Sequence, residues 1–314
     1  MRRIVKIFES PSQREGAGFI VHRPFPGRFL KDEQCDPFLL LDEGGPKEAN
    51  IKGAGAPWHP HRGFDTVTYI KSGVGAHQDS MGNKGLIKSG EVQWMRAGSG
   101  VIHDEGPPSG MTEEEFLKHG TKTHGFQLWV NLPPELKMSP PAYHHLTQET
   151  FKWVPVGKNA EAKVIAGDIS SDTQLRRSPL DLAVPVLYAD IVINASPEAT
   201  VVPIDAIMDT CIVYVYSGEG RVFDGEGDEA GTVVKAKDCV VYADPVTTPR
   251  DSIKLVATSE AEGLKVLLMA GKKIKAPIAR YGPFVMNTDE ELKQAMADYH
   301  HGKLASVKAA DNRY

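Results

Sequence analysis

The chain has 314 residues, 41% of them hydrophobic, enough for a real core in each of two ordinary domains. Its formal net charge of -5 and pI of about 6.1 argue against bulk electrostatic binding to nucleic acid or to an anionic membrane, since both need a basic excess. No apolar run approaches the roughly 18 residues of a membrane span, and the three scattered cysteines, Cys35, Cys211 and Cys239, form neither a metal pattern nor a disulfide framework, which suits a reducing compartment.

In chain order, Met1-Arg2-Arg3-Ile4-Val5-Lys6 is basic but has no apolar block behind it, so no signal peptide is read. The expectation is a cytoplasmic protein, with the nucleus as the alternative in a eukaryote. The first distinctive stretch is Trp58-His59-Pro60-His61-Arg62-Gly63-Phe64-Asp65. It runs into Thr66–Ile70, a short β-rich segment, and Val92–Met95 is a second. A glycine turn, Gly98-Ser99-Gly100, precedes His103-Asp104-Glu105, and Phe126–Val130 follows as another strand. Pro133–Pro141 and the polar stretch after it read as a junction between domains 1–134 and 135–314. Beyond it come Val186–Ile193, Cys211–Tyr216 and Val266–Met269. All these runs are short, and 30 glycines and 22 prolines supply the turns between them. That pattern predicts an all-β chain of sandwiches or barrels.

Thr288-Asp289-Glu290-Glu291 breaks the pattern. It is a capping box, with Thr288 as N-cap and Glu291 reaching back. Leu292, Ala295, Met296 and Tyr299 then recur at helical spacing, predicting a C-terminal helix packed on one of the β domains.

An internal repeat supports two tandem barrels. Tyr-x-x-Ser-Gly-x-Gly begins at Tyr69 and again at Tyr214, an offset of 145. The segment from Gly85 likewise resembles the one from Gly231, at nearly the same offset. At that offset His59 falls near Ile204 and His61 near Ala206, and no histidine occurs from Leu146 through Tyr299. One copy therefore reads as functional and the other as structural.

On a strand, residues i and i+2 project from one face. His59 and His61 would point into one space, and so would His103 and Glu105. Pro60 supports an extended backbone and, lacking an amide donor, suggests an edge strand. Two such pairs on adjacent strands could set three imidazoles and one carboxylate around a point, a donor set suited to Fe, Ni, Co, Cu or Zn. His77, His119, His124, His144, His145, His300 and His301 are read as packed or surface residues. His300 and His301 suit the end of a helix, where the dipole favours cations.

These residues resemble the cupin superfamily: Gly53, His59 and His61 match its first motif, with Asp65 where glutamate is usual, and Gly90 through His103 follows its second. Blocks Asp36–Glu43, His59–Ile70, Gly90–Glu105, His124–Pro133 and Gly282–Thr288 are more closely similar to the pirin family, in its order, over nearly the whole chain. The resemblance implies a bicupin of two β-barrels with metal in the N-terminal one alone. It implies His59, His61, His103 and Glu105 as ligands of one divalent ion, Fe(II) first, with Ni, Co, Mn, Cu or Zn as alternatives. Asp65 is the reserve candidate, with an outer or turn role favoured.

Four protein ligands on a six-coordinate ion leave two positions open. The resemblance implies a quercetin 2,3-dioxygenase that opens a flavonol's heterocycle with O2 and releases carbon monoxide, with Glu105 as general base. Flat substrates call for an apolar pocket. Phe64, Trp94, Phe126 and Trp129 lie near the motifs but read first as core, and Gln127 is a candidate polar pocket residue. The competing reading that the pirin resemblance implies is an iron-binding, redox-sensitive transcriptional cofactor that meets a protein partner and turns little over. A monomer is expected in either case.

Overall fold

The computed structural model describes residues 1–53, 55–171, 174–177, 182–245 and 250–305. Strands dominate it. Among the described residues, no helix is long and apolar enough to cross a membrane.

Two compact units divide the chain, and neither is one continuous stretch. Pro11–Gln148 joins the chain from Lys275 onward, and Met1–Ser10 joins Glu149–Ile274. All eleven histidines belong to the first of these, the histidine unit.

Among the described residues the histidine unit holds a small two-stranded sheet, Ala279–Tyr281 with Phe284–Met286, and two large antiparallel sheets. The larger has seven strands, in the order Ala142–Leu146, Val92–Arg96, Phe64–Ser72, Lys122–Asn131, Phe38–Glu48, Phe19–Phe25 and Ser12–Glu15. The smaller runs Ala56–His61, Val101–Gly106, Val74–Asp79, Lys84–Lys88. Leu39, Leu40, Phe64, Trp129 and Val285 form a core cluster on the larger sheet. Ala56–His61 is an edge strand, as its proline requires, and Pro60 sits opposite Ile102. Ala142–Leu146, which reads as a connecting stretch in the sequence, is a strand paired with Val92–Arg96. Its polar side chains fit because it is the outermost strand of the sheet.

Arg62 and Gly63 turn the chain from one sheet to the other. Gly63 has φ of 92°, and a Cβ there would collide with the Val285 carbonyl oxygen, so only glycine fits. Asp289–His300 is the C-terminal helix, closed at its start by the Thr288–Glu291 capping box. Its apolar side, Leu292, Ala295, Met296 and Tyr299, packs with Phe284, Met286 and Leu304 of the histidine unit.

Among the described residues the second unit holds a branched sheet of ten strands, with Ile4–Glu9 paired to Asp238–Tyr242, and a two-stranded sheet, Asp168–Ser171 with Gln174–Arg177. The repeat is real in backbone terms. Tyr69 and Tyr214 are both buried within strands, and the glycines that follow them, Gly73 and Gly218, hold φ of 84° and 80°. Ile204, at the repeat offset from His59, is buried in this unit's apolar core with Val202, Ile253 and Leu255.

Candidate metal centre

Three neighbouring strands of the smaller sheet build the site. In register, His103 lies directly opposite His59 on one side and Asp79 on the other, while Glu105 lies opposite His77. A bulge between His103 and Glu105 shifts the pairing with the edge strand, so Glu105 faces Ala56. The sheet brings the two sequence pairs together: the three ring centroids are 4.7 Å (59 to 61), 4.3 Å (59 to 103) and 4.8 Å (61 to 103) apart. Glu105 Oε2 is 3.9 Å from His103 Nε2. His61 and His103 are buried, whereas His59 and Glu105 are half-buried and line a cavity.

The hydrogen bonds decide which nitrogen of each ring faces inward. A carbonyl can only accept, so His59 Nδ1 donates to Pro57 O at 2.9 Å and His61 Nδ1 to Pro283 O at 3.3 Å. With that proton on Nδ1, the lone pair of each ring lies on Nε2, and those two atoms stand 3.1 Å apart. His103 Nε2 is buried with no hydrogen-bond partner. Two facing lone pairs and an orphaned buried nitrogen are unfavourable by themselves and are what a cation between them would relieve. Burial, and secondarily the neighbouring imidazoles, hold the pKa of His61 and of His103 well below the ordinary histidine value. His61 and His103 are therefore neutral and free to coordinate at neutral pH. By this test the residues fit a divalent ion, and His59, His61 and His103 form one group able to hold it.

Glu105 is itself positioned. Gln127 Nε2 donates to its Oε2 at 2.8 Å, and the Trp129 indole N–H donates to Gln127 Oε1 at 3.4 Å. Gln127, Phe126 and Trp129 all line the cavity, whereas Phe64 lies behind it, stacked on Trp129 at 4.2 Å. Asp65 takes no part in either metal-capable group among the described residues. It is buried and accepts from both Nε and Nη2 of Arg96 at 3.1 and 3.3 Å.

Other histidines read as packed are accounted for. His124 pairs with Glu43 at 2.7 Å, His145 with Glu91 at 2.9 Å, and His144 stacks on Trp94 at 4.6 Å. His77 is the exception. It belongs to a second metal-capable group with His103 and Glu105, and its Nδ1 lies 3.4 Å from His103 Nδ1. The sequence held the signal: His77-Gln78-Asp79 has the same i, i+2 spacing as the two pairs singled out.

The cavity above the cluster has a volume of about 1410 Å3, larger than the roughly 300–1,000 Å3 of a typical ligand pocket. Val21, Leu40, Ile70, Phe126 and Trp129 make its wall largely apolar, and half-exposed Trp58 stands at it next to His59.

Comparison with known proteins gives a consistent picture. The Pirin family model matches residues 19–130 and the Pirin C-terminal cupin domain model matches residues 188–305. A pirin-like protein of Solanum lycopersicum is 34% identical, with 96% of this chain and 92% of that one covered. Pirin-like protein 2 of Arabidopsis thaliana is 36% identical, with 96% and 85% covered. Among solved structures, a quercetin 2,3-dioxygenase from Acinetobacter baumannii superposes with a TM-score of 0.81 at 30% identity, covering 98% of this chain and 99% of that one.

Proposed function

The chain belongs to the pirin family, and from that premise we propose that it is a metal-dependent dioxygenase of quercetin-like flavonols. The observation that supports the reading is the cluster of His59, His61 and His103, with the Glu105 carboxylate 3.9 Å from His103 Nε2, beside a large cavity with a largely apolar wall that His59, His61 and Glu105 line. His59, His61, His103 and Glu105 would hold the ion. Fe(II) is the first choice, and Ni, Co, Mn, Cu and Zn accept the same donors. A bound ion supplies Lewis acidity toward the flavonol oxygens and the redox chemistry with O2 that side chains lack.

The chain's own residues do the rest. The aromatic and aliphatic wall, to which Phe126 and Trp129 contribute, takes the flat rings out of water. Glu105 accepts the 3-hydroxyl proton on a carboxylate oxygen, which leaves the flavonol as the electron-rich anion. Gln127 keeps Glu105 aimed by donating to Oε2, and Trp129 keeps Gln127 in the orientation that makes it a donor.

The test is carbon monoxide release from quercetin in air by Fe(II)-reconstituted protein, beside Glu105→Gln with matched iron. Wild-type release, with a loss of roughly 10²–10⁴-fold in the variant, is the expected result for a general base. No release from fully metallated wild type would instead favour a metal-dependent interaction protein. His59→Ala should empty the site, and full metal occupancy in that variant would remove His59 from the ligand set.

A further inference from the structure

His103 differs from the other two imidazoles of the cluster in what lies behind it. His59 and His61 are backed by carbonyl oxygens, whereas His103 is backed by a second, completely buried imidazole, His77. His77 Nε2 lies 3.2 Å from Asp79 Oδ2, and both side chains are fully shielded from solvent. The other face of His77 is fixed too. Gln93 Nε2 approaches its Nδ1 at 2.9 Å, and Tyr143 stacks on the ring at 5.0 Å.

The proton positions follow link by link. The Asp79 carboxylate can only accept, so His77 carries its proton on Nε2. His77 Nδ1 is then the acceptor, which suits the Gln93 amide donor. Facing that same lone pair at 3.4 Å, His103 Nδ1 can only be a second, longer donor that shares it with Gln93, and its Nε2 is left bare toward His59, His61 and Glu105. A carboxylate behind a metal-ligating histidine sets its tautomer and raises its basicity. Here the carboxylate acts through one additional ring.

We propose that Asp79 and His77 are positioning residues for the metal centre: through the chain Asp79–His77–His103 they keep the His103 Nε2 lone pair turned toward the metal position and pass part of a buried negative charge to it. The inference rests on the metal reading of this cluster and not on flavonol chemistry.

Asp79→Asn is the informative change. Asp79 Oδ1 already accepts from the amides of Met81 and Asn83 at 2.9 and 3.0 Å. An asparagine keeps its oxygen on those amides and turns its NH2 toward His77 and toward Asn83, whose side-chain amide must flip to accept with its oxygen. His77 Nε2 must then accept, and its proton moves to Nδ1, facing the N–H of His103. Two donors cannot face each other, so His103 shifts its proton to Nε2 and ceases to be a ligand. A wrong tautomer behind an unchanged fold is a documented way for such a carboxylate-to-amide change to act.

The experiment uses the full chain and two readouts. Nickel(II) is titrated calorimetrically into wild type, Asp79→Asn, His77→Phe and Asn83→Ala, with folding followed by circular dichroism. Nitrogen-15 NMR of the metal-free protein reads which His103 nitrogen bears the proton. Asp79→Asn and His77→Phe should weaken nickel binding by roughly 10- to 100-fold, and in Asp79→Asn the His103 proton should sit on Nε2. Asn83→Ala loosens the same turn by removing the Asn83 Nδ2 bond to Asp79, 2.8 Å in the wild type, yet keeps the charge. It should bind nickel within about threefold of wild type. If Asp79→Asn fails to fold, His77→Phe, which keeps a ring against Tyr143, carries the affinity test. Folded variants that bind like wild type with an unchanged His103 tautomer would overturn the proposal, as would an equal loss in Asn83→Ala. A wild type that binds no nickel overturns the metal reading itself, and the positioning role with it.

Discussion

The imidazoles show what burial does to a single group. His61 and His103 sit in the protein interior, and desolvation holds both pKa values well below the 6.5 of an exposed histidine. Between that depressed value and about 6.5, the unfolded chain binds protons that the folded chain refuses. Stability of the metal-free protein therefore falls as pH drops below about 6.5, by up to roughly 2.7 kcal/mol per pH unit for the two groups together. Urea unfolding of metal-free protein from pH 7.5 to 5 checks this against a His61→Gln/His103→Gln double variant, which should lose most of the slope. Equal slopes in the two proteins would mean that these histidines titrate normally. At this scale His59, His61, His103 and Glu105 were all visible in the sequence through their spacing. His77 was not separated from the packed histidines: it shares the i, i+2 spacing with Asp79, but only the contacts with Asp79 and His103 distinguish it.

Between elements, the turn after His61 is held from several sides. Lys137 is buried, and its Nζ donates to Gly63 O at 2.9 Å, Asn131 Oδ1 at 2.7 Å and Val285 O at 2.9 Å. Burial pushes its pKa down to about 8, so it remains largely charged at neutral pH. Lys137→Met would leave three buried acceptors without their donor, a destabilisation on the order of 3 kcal/mol, and the shift of the urea midpoint measures it. A change within the ±0.5 kcal/mol of an ordinary surface substitution would show that water replaces the ammonium there. Gly63→Ala should be as damaging, because a methyl group collides with the Val285 carbonyl at a φ of 92°. The capping box of the last helix was legible, since Thr288 and Glu291 act within one turn. The strand at Ala142–Leu146 was not, because its polar residues look like loop until Val92–Arg96 is found beside them.

Across the whole molecule, the terminal segments contribute where chain order would not put them. The first ten residues complete the sheet of the second unit, through Ile4–Glu9. The chain from Lys275 serves the histidine unit: Val285 enters its core cluster, Pro283 O holds His61, and Asp298 pairs with Arg62 at 2.8 Å. A chain ended at Ile274 should therefore lose nickel binding and expose residues 11–148 to protease, while residues 149–274 resist. Limited proteolysis with mass spectrometry distinguishes this from a tail that is dispensable, which would leave 11–148 protected and metal binding intact. The boundary after residue 134 that the proline-rich stretch suggests remains a proposal about how the chain is organised in order, and contacts sort the termini independently of it.

By itself, the sequence determined what depends on near neighbours and on repetition. Strand-sized apolar runs, i, i+2 histidine and glutamate pairs, glycine turns and a helix cap are written in a few adjacent residues, because backbone geometry imposes their periods. The pirin-like order of motifs and the absence of histidine from the second repeat follow from the same text. Tertiary structure alone decided which partners meet across the chain: Pro283 behind His61, Gln127 on Glu105, and Asp79 behind His77 and His103. Those contacts come from sheet register and from the return of a distant segment. Register is set by burial of whole strand faces, a cooperative property that no short stretch of residues carries.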